Sequence, residues 1–204
     1  IKHAKAGRDI ILIGHEGHPE VEGTMGRHIN NDNSSIYLVQ NENDANSIKL
    51  NKKNELAVVT QTTLSVDETK SIISILRDRF PKIITPKKDD ICYATQNRQD
   101  AVKQLALESD FMIVVGSKNS SNSNRLKELG ENCGCKSVLI DEFNDLDLDV
   151  IKKFSRISIT AGASAPESKV MEIAQSLESF IDAEISEYGE DNEDIFFKLP
   201  PGLR

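Results

Sequence analysis

Short apolar, β-branched runs alternate along this chain with longer stretches in which apolar residues return at roughly 3.6-residue spacing. The short runs predict strands over residues 10–14, 36–39, 56–60, 82–85, 111–115, 137–140 and 156–160. The longer ones predict helices over 20–27, 44–50, 66–80, 95–109, 122–132, 146–154 and 166–181. Residues 66–80 are the clearest: Ser65 stands as an N-cap with Glu68 three positions on, a capping box. Val66, Ile72, Ile73, Leu76 and Phe80 then follow the helical period. Residues 1–6 read as the last turns of a helix closed by Gly7, so the chain is expected to be a piece of a longer protein.

Strand and helix in alternation mean α/β architecture, with mostly parallel sheets covered by helices on both faces. Phe111, Met112, Ile113, Val114 and Val115 form the continuous apolar run of a strand buried on both sides. The charged, punctuated stretch Pro86-Lys87-Lys88-Asp89-Asp90 marks a boundary between an α/β unit over residues 1–88 and another over 89–181. The two are expected to be similar three-layer units of about four strands each. Residues 182–204 form a tail, acidic over 184–194, with a predicted edge strand over 195–199 before Pro200-Pro201-Gly202.

Composition narrows the function. The 204 residues carry 25 Lys plus Arg against 33 Asp plus Glu, a net charge of −8. That balance argues against nucleic-acid and membrane-surface roles, since polyanions reward a basic face. No apolar run approaches the roughly 18 residues of a membrane-spanning helix, and residues 1–9 do not read as a signal peptide. Three cysteines make no disulfide framework, which points to a reducing compartment.

Chemistry concentrates where ligands bind in open parallel sheets, beyond the carboxyl ends of the strands. The four loops there are His15-Glu16-Gly17-His18-Pro19-Glu20, Gln61-Thr62-Thr63-Leu64-Ser65, Gly116 to Arg125 and Ala161-Gly162-Ala163-Ser164-Ala165-Pro166. Singly, such residues are ordinary turn and cap formers. Together, small hydroxyl and amide side chains at several helix N-termini make an anion site, and a phosphorylated ligand is the natural occupant. The 15–22 stretch holds two histidines and three carboxylates, which also fits a surface loop or an incidental metal pair. It is not the H-E-x-x-H pattern, whose second His would fall one position after His18. Pro19 interrupts any helix there, and a His two residues before a Glu, as in His18 and Glu20, could supply a proton donor with a hydrogen-bonded orienting partner. Cys92 precedes the 95–109 helix, whose positive end favours a thiolate; a buried core Cys is the other reading. Cys133 and Cys135 follow an expected helix cap at Gly130 and are left unassigned.

These segments resemble 4-hydroxy-3-methylbut-2-enyl diphosphate reductase, the iron–sulfur enzyme that ends the non-mevalonate isoprenoid pathway. The resemblance is carried by Gly14-His15-Glu16-Gly17-His18-Pro19-Glu20-Val21-Glu22-Gly23-Thr24, Thr60 to Ser65, Asp90 to Thr95, Val115 to Leu126 and Thr160 to Pro166, in the family's order. It implies a trefoil of three α/β domains, two of them present here. It implies Cys92 as one of three thiolate ligands of a [4Fe–4S] cluster, Glu20 as the proton donor, and Thr62 as a residue that positions the departing hydroxyl or a water. His18 would line the substrate pocket, and Ser120, Ser121, Asn122 and Ser164 would hold the diphosphate. The reaction implied is a two-electron, two-proton reductive dehydroxylation giving isopentenyl and dimethylallyl diphosphates, with reduced ferredoxin or flavodoxin as donor, in a bacterial cytoplasm or a plastid-type compartment. The other two cluster cysteines and two further pocket histidines belong to the family's N-terminal domain, which this chain lacks. The 204-residue piece is therefore expected to bind no intact cluster and to be inactive.

Two other classes remain open from the residues. One is a non-catalytic phosphate-ligand module that uses the same helix ends without Cys92 or Glu20. The other is a doubly wound nucleotide enzyme, disfavoured because neither G-x-G-x-x-G after a strand nor G-x-x-x-x-G-K-[ST] occurs.

Overall fold

A computed structural model describes residues 1–28, 34–50, 54–86, 90–189, 199 and 202. The chain opens with α1 (Lys2–Lys5), and Gly7 behind it takes φ +68, the left-handed turn that ends it. Then come β1 (Asp9–Ile13), α2 (Pro19–Gly26), β2 (Ile36–Val39), α3 (Glu42–Ser47), β3 (Leu56–Thr60) and α4 (Val66–Arg79). The second half holds α5 (Tyr93–Glu108), β4 (Phe111–Val115), α6 (Ser121–Asn132), β5 (Lys136–Ile140), α7 (Leu148–Ile151), β6 (Ile157–Ala161) and α8 (Glu167–Ile181).

The strands make two parallel three-stranded sheets of the same plan, ordered β2-β1-β3 and β5-β4-β6. In each, the first strand in sequence is the central one, and every residue of β1 and β4 is buried. Ile11 faces Tyr37 and Val58 across the first sheet; Ile113 faces Val138 and Ile159 across the second. Alternation of side chains sends Phe111, Ile113 and Val115 to one layer with Ile140, Ile173 and Leu177. Met112 and Val114 go to the opposite layer with Val102 and Leu126, so the second sheet is covered on both faces. Ile11 and Ile13 pack with Val58, Ile72 and Leu76 beneath α4. Among the described residues no helix is long and apolar enough to cross a membrane.

Several expected elements change, each for a local reason. Residues 82–85 form no strand: Pro81 and Pro86 bracket them, and a single parallel bridge joins Ala57 to Ile84. Each sheet thus has three strands rather than about four. The expected helix over 146–154 shortens to α7, preceded by a 3-10 turn (Phe143–Asp145), because Asp147 caps the start by accepting from the N–H groups of Asp149 and Val150 at 3.2 Å each. Asn41 caps α3 earlier than expected, accepting from Asp44 N–H at 2.9 Å. Gly130 is not a cap but lies inside α6, where a Cβ would stand 2.4 Å from Ser137 Oγ; it lets α6 approach β5. The boundary residues 87–89 and the expected strand over 195–199, apart from Leu199, lie outside the described residues.

A buried amide joins the two halves. Gln99, 1% exposed on α5, accepts from Val66 N–H at 3.0 Å and donates to Leu64 C=O at 2.8 Å. With Ser65 Oγ accepting from Glu68 N–H, it fixes the start of α4 against α5.

Candidate active site

The carboxyl end of β1 turns sharply. A Cβ at Gly14 would sit 2.5 Å from Val21 and 3.2 Å from Gln61 Oε1, so only glycine lets the chain pass there. His18 is the N-cap of α2 and Pro19 its first residue, the position where a missing N–H costs nothing. His18 Nδ1 accepts from Glu20 N–H at 3.2 Å, which leaves Nε2 to carry the proton of a neutral ring. The expected pairing of His18 with Glu20 runs through the Glu20 backbone N–H and not through its carboxylate. Thr62 holds that carboxylate instead: its N–H lies 3.0 and 3.1 Å from the two oxygens, and its hydroxyl donates at 3.0 Å. Glu20, in the first turn of α2, and Thr62, on the loop after β3, are 42 residues apart in sequence.

Gln61, fully buried, precedes Thr62. Its Oε1 accepts from His15 N–H at 3.0 Å, and its Nε2 donates to Thr63 Oγ1 at 3.0 Å and to Ser121 Oγ at 3.4 Å. Thr63 Oγ1 also lies 3.1 Å from Ser121 Oγ, so this loop of the first half touches the N-terminus of α6 in the second.

At that N-terminus Ser120 is the cap, accepting from Ser123 N–H at 3.2 Å. Asn122 and Ser123 are buried, yet neither polar atom of the Asn122 amide nor the Ser123 hydroxyl has a hydrogen-bond partner. A buried polar group left unpaired costs about 1–3 kcal/mol, so the Asn122 amide is an arrangement suited to a bound polar group. Cβ atoms at Gly116 and Gly162 would stand 2.3 and 2.2 Å from Ser123 Oγ, which brings the ends of β4 and β6 against this helix start. Ser164, exposed, lies two residues beyond Gly162 on the loop to α8.

Cys92 is the N-cap of α5, exposed, with no hydrogen bond from its side chain to the helix. The buried-core reading of this residue is overturned. Its N–H donates to Thr62 C=O at 3.0 Å, so the thiol-bearing residue adjoins the Glu20 partner. Arg98, one turn into α5, donates to Ala94 C=O at 3.4 Å and to Ala161 C=O at 3.0 Å, tying the Cys92 helix to the strand that leads to Ser164.

The family model described as "LytB protein" matches residues 1–178. The chain belongs to the LytB family. It is 50% identical over its whole length to 4-hydroxy-3-methylbut-2-enyl diphosphate reductase of Alcanivorax borkumensis, covering 66% of that protein. It is 53% identical, again over its whole length, to the protein of the same name from Pseudomonas putida, covering 64% of it. The solved E-1-hydroxy-2-methyl-but-2-enyl-4-diphosphate reductase of Plasmodium falciparum superposes with a TM-score of 0.85 at 34% identity, covering 98% of this chain and 62% of that one. The chain thus spans somewhat less than two thirds of the relatives it matches.

Against this LytB background the sulfur donors divide cleanly. An exposed thiol at an uncapped helix start suits a cluster ligand, but Cys92 alone does not complete one. No group of three or more His, Cys, Asp or Glu able to hold a metal occurs among the described residues. Cys133 and Cys135 lie beyond the opposite end of α6 from Ser121, and burial pushes the Cys135 thiol up from its ordinary value.

Sequence reading assigned no role to Gln61 or Arg125. The signal for Gln61 was a long polar residue directly after the buried strand β3. Arg125, on α6, places Nη2 3.3 Å from His15 Nε2 and pairs with Glu128 and Glu68 at 2.9 and 3.3 Å. A guanidinium only donates, so Nε2 accepts and a neutral His15 carries its proton on Nδ1. Burial, then Arg125, holds the His15 pKa below its usual value.

Proposed function

We propose that this LytB chain supplies the proton-handling and diphosphate-holding parts of a 4-hydroxy-3-methylbut-2-enyl diphosphate reductase. The reaction replaces the allylic hydroxyl by hydrogen: two electrons and two protons enter, water leaves, and isopentenyl or dimethylallyl diphosphate forms. Glu20 delivers the proton that turns the departing hydroxyl into water. Thr62, which grips both Glu20 oxygens, sets the point of delivery and can hold the hydroxyl or a water. His18 lines the substrate pocket. Ser120, Ser121, Asn122 and Ser164 bind the diphosphate at the N-terminus of α6, where the helix dipole favours negative charge.

Cys92 would serve as one of three thiolates of a [4Fe–4S] cluster, the other two coming from the family's N-terminal domain. When bound, that cluster supplies the electrons, received from reduced ferredoxin or flavodoxin, and a Lewis-acidic iron for the hydroxyl. With one thiol at the site, the 204-residue chain by itself is expected to take up no intact cluster and to turn nothing over. A four-iron spectroscopic signature with turnover in this chain would contradict that.

The observation that carries the reading is Thr62, which joins the Glu20 carboxylate to the Cys92 backbone within one hydrogen-bonded unit. The test is Glu20→Gln in the protein completed by the rest of its chain, reading turnover and inorganic diphosphate affinity separately. Lost turnover with retained affinity supports the reductase. Retained turnover removes Glu20 from the chemistry, and a completed parent protein that binds diphosphate without turnover returns the site to a plain phosphate-binding module.

A further inference from the structure

We propose that Gln61 is a positioning residue that commits the Ser121 hydroxyl to donate toward a bound diphosphate; this rests on the diphosphate reading above. The direction of the Gln61 bonds follows from one fixed donor. His15 N–H can only donate, so the oxygen of the Gln61 amide must face it, at 3.0 Å. The amide NH2 is then turned the other way, toward Thr63 Oγ1 at 3.0 Å and Ser121 Oγ at 3.4 Å, and both hydroxyl oxygens accept. Thr63 Oγ1 lies 3.1 Å from Ser121 Oγ, and in the proposed arrangement its hydroxyl is the donor of that contact. The Ser121 oxygen, with two lone pairs, now accepts twice, and its single proton is left for something outside the network.

That outward proton stands on the first residue of α6, next to the buried, unpartnered Asn122 amide. A phosphoryl oxygen accepts hydrogen bonds and has none to give, so the network matches an anionic oxygen and turns away a ligand that would donate to Ser121. Gln61 is fully buried and touches no ligand itself; it acts through Ser121. Gly14 keeps the space beside it open, since a Cβ there would stand 3.2 Å from its Oε1.

A double-mutant cycle on the 204-residue chain tests this, with inorganic diphosphate as the probe, calorimetry for affinity and circular dichroism to confirm folding. Gln61→Leu should weaken diphosphate binding roughly tenfold in the parent chain and by less than about twofold once Ser121→Ala is present. Rescue by Gln61→Glu should fail: its carboxylate can still accept from His15 but gives nothing to Thr63 or Ser121. An equal loss from Gln61→Leu with and without Ser121 overturns the positioning role while leaving the diphosphate site standing. No loss from Ser121→Ala, or no diphosphate binding by the parent chain, overturns the site reading and this inference together. If Gln61→Leu does not fold, Thr63→Val, which removes the other donor to Ser121, runs the same cycle with the same criteria.

Discussion

The two sheets share strand number, order and direction, yet their carboxyl ends hold opposite kinds of polar group. At the end of the β2-β1-β3 sheet the groups are ionisable and mutually satisfied: Glu20 is held by Thr62, and His15 by Gln61 and Arg125. At the end of the β5-β4-β6 sheet they are neutral, and in Asn122 and Ser123 they are buried without partners. One end arranges a proton; the other keeps unspent hydrogen-bonding capacity at a helix N-terminus. On the proposed function, the same scaffold divides chemistry from anchoring through loop composition alone.

The widest gap between the two ends should appear in the completed protein. Glu20→Gln is expected to lower turnover by at least about 100-fold while diphosphate affinity moves less than about twofold. Asn122→Leu should show the reverse pattern in the isolated chain. Diphosphate affinity falls roughly tenfold, while the melting temperature holds or rises, because an unpaired buried amide is removed. A melting temperature that drops sharply would mean the amide is structural. Gly162→Ala should destabilise by about 1–3 kcal/mol in denaturant unfolding, since its Cβ would strike Ser123 Oγ at 2.2 Å. Gly23→Ala, in α2 with open space around it, should stabilise by about 0.5–1 kcal/mol. The smallest effect is in pH. His15, with its pKa depressed in the folded state, keeps stability undiminished above its unfolded value of 6.5 and loses it as pH falls through the folded value. Melting temperature should therefore decline below about pH 6.5, and His15→Gln should shallow that slope, leaving the part from His3, whose depression has the same sign.

What the sequence exposed and what it hid follow from the range of the forces involved. Val58, Ile72, Leu76 and the β4 run announced sheets and helices because burial imposes a local period. The α/β class and the capping Ser65 were readable for that reason. The β-bridge at Ile84 was not, because the prolines on either side decide it by removing ladder bonds, and apolar content there still looks like a strand. At the site, Glu20, Thr62, Cys92 and the 120–122 serine and asparagine run stood out through their family motifs. That Thr62, rather than His18, grips Glu20 could not be read off. Two residues apart along a helix start, His18 and Glu20 meet through backbone, and the 42-residue partner is fixed only by β1 pairing with β3. Gln61 was hidden likewise, since its meaning depends on Ser121, 60 positions away.

The central claim is that both sheet ends open onto one diphosphate-binding centre. Amide chemical shifts of the isotopically labelled chain during titration with inorganic diphosphate address it directly. Saturable shifts are expected at Ser121, Asn122, Ser123 and Ser164, carried across Gln61 to Thr63 and His15. Shifts confined to α6 and the Ser164 loop, with Thr63 and His15 silent, or shifts only around distant cations such as Lys136 and Lys152, would contradict it.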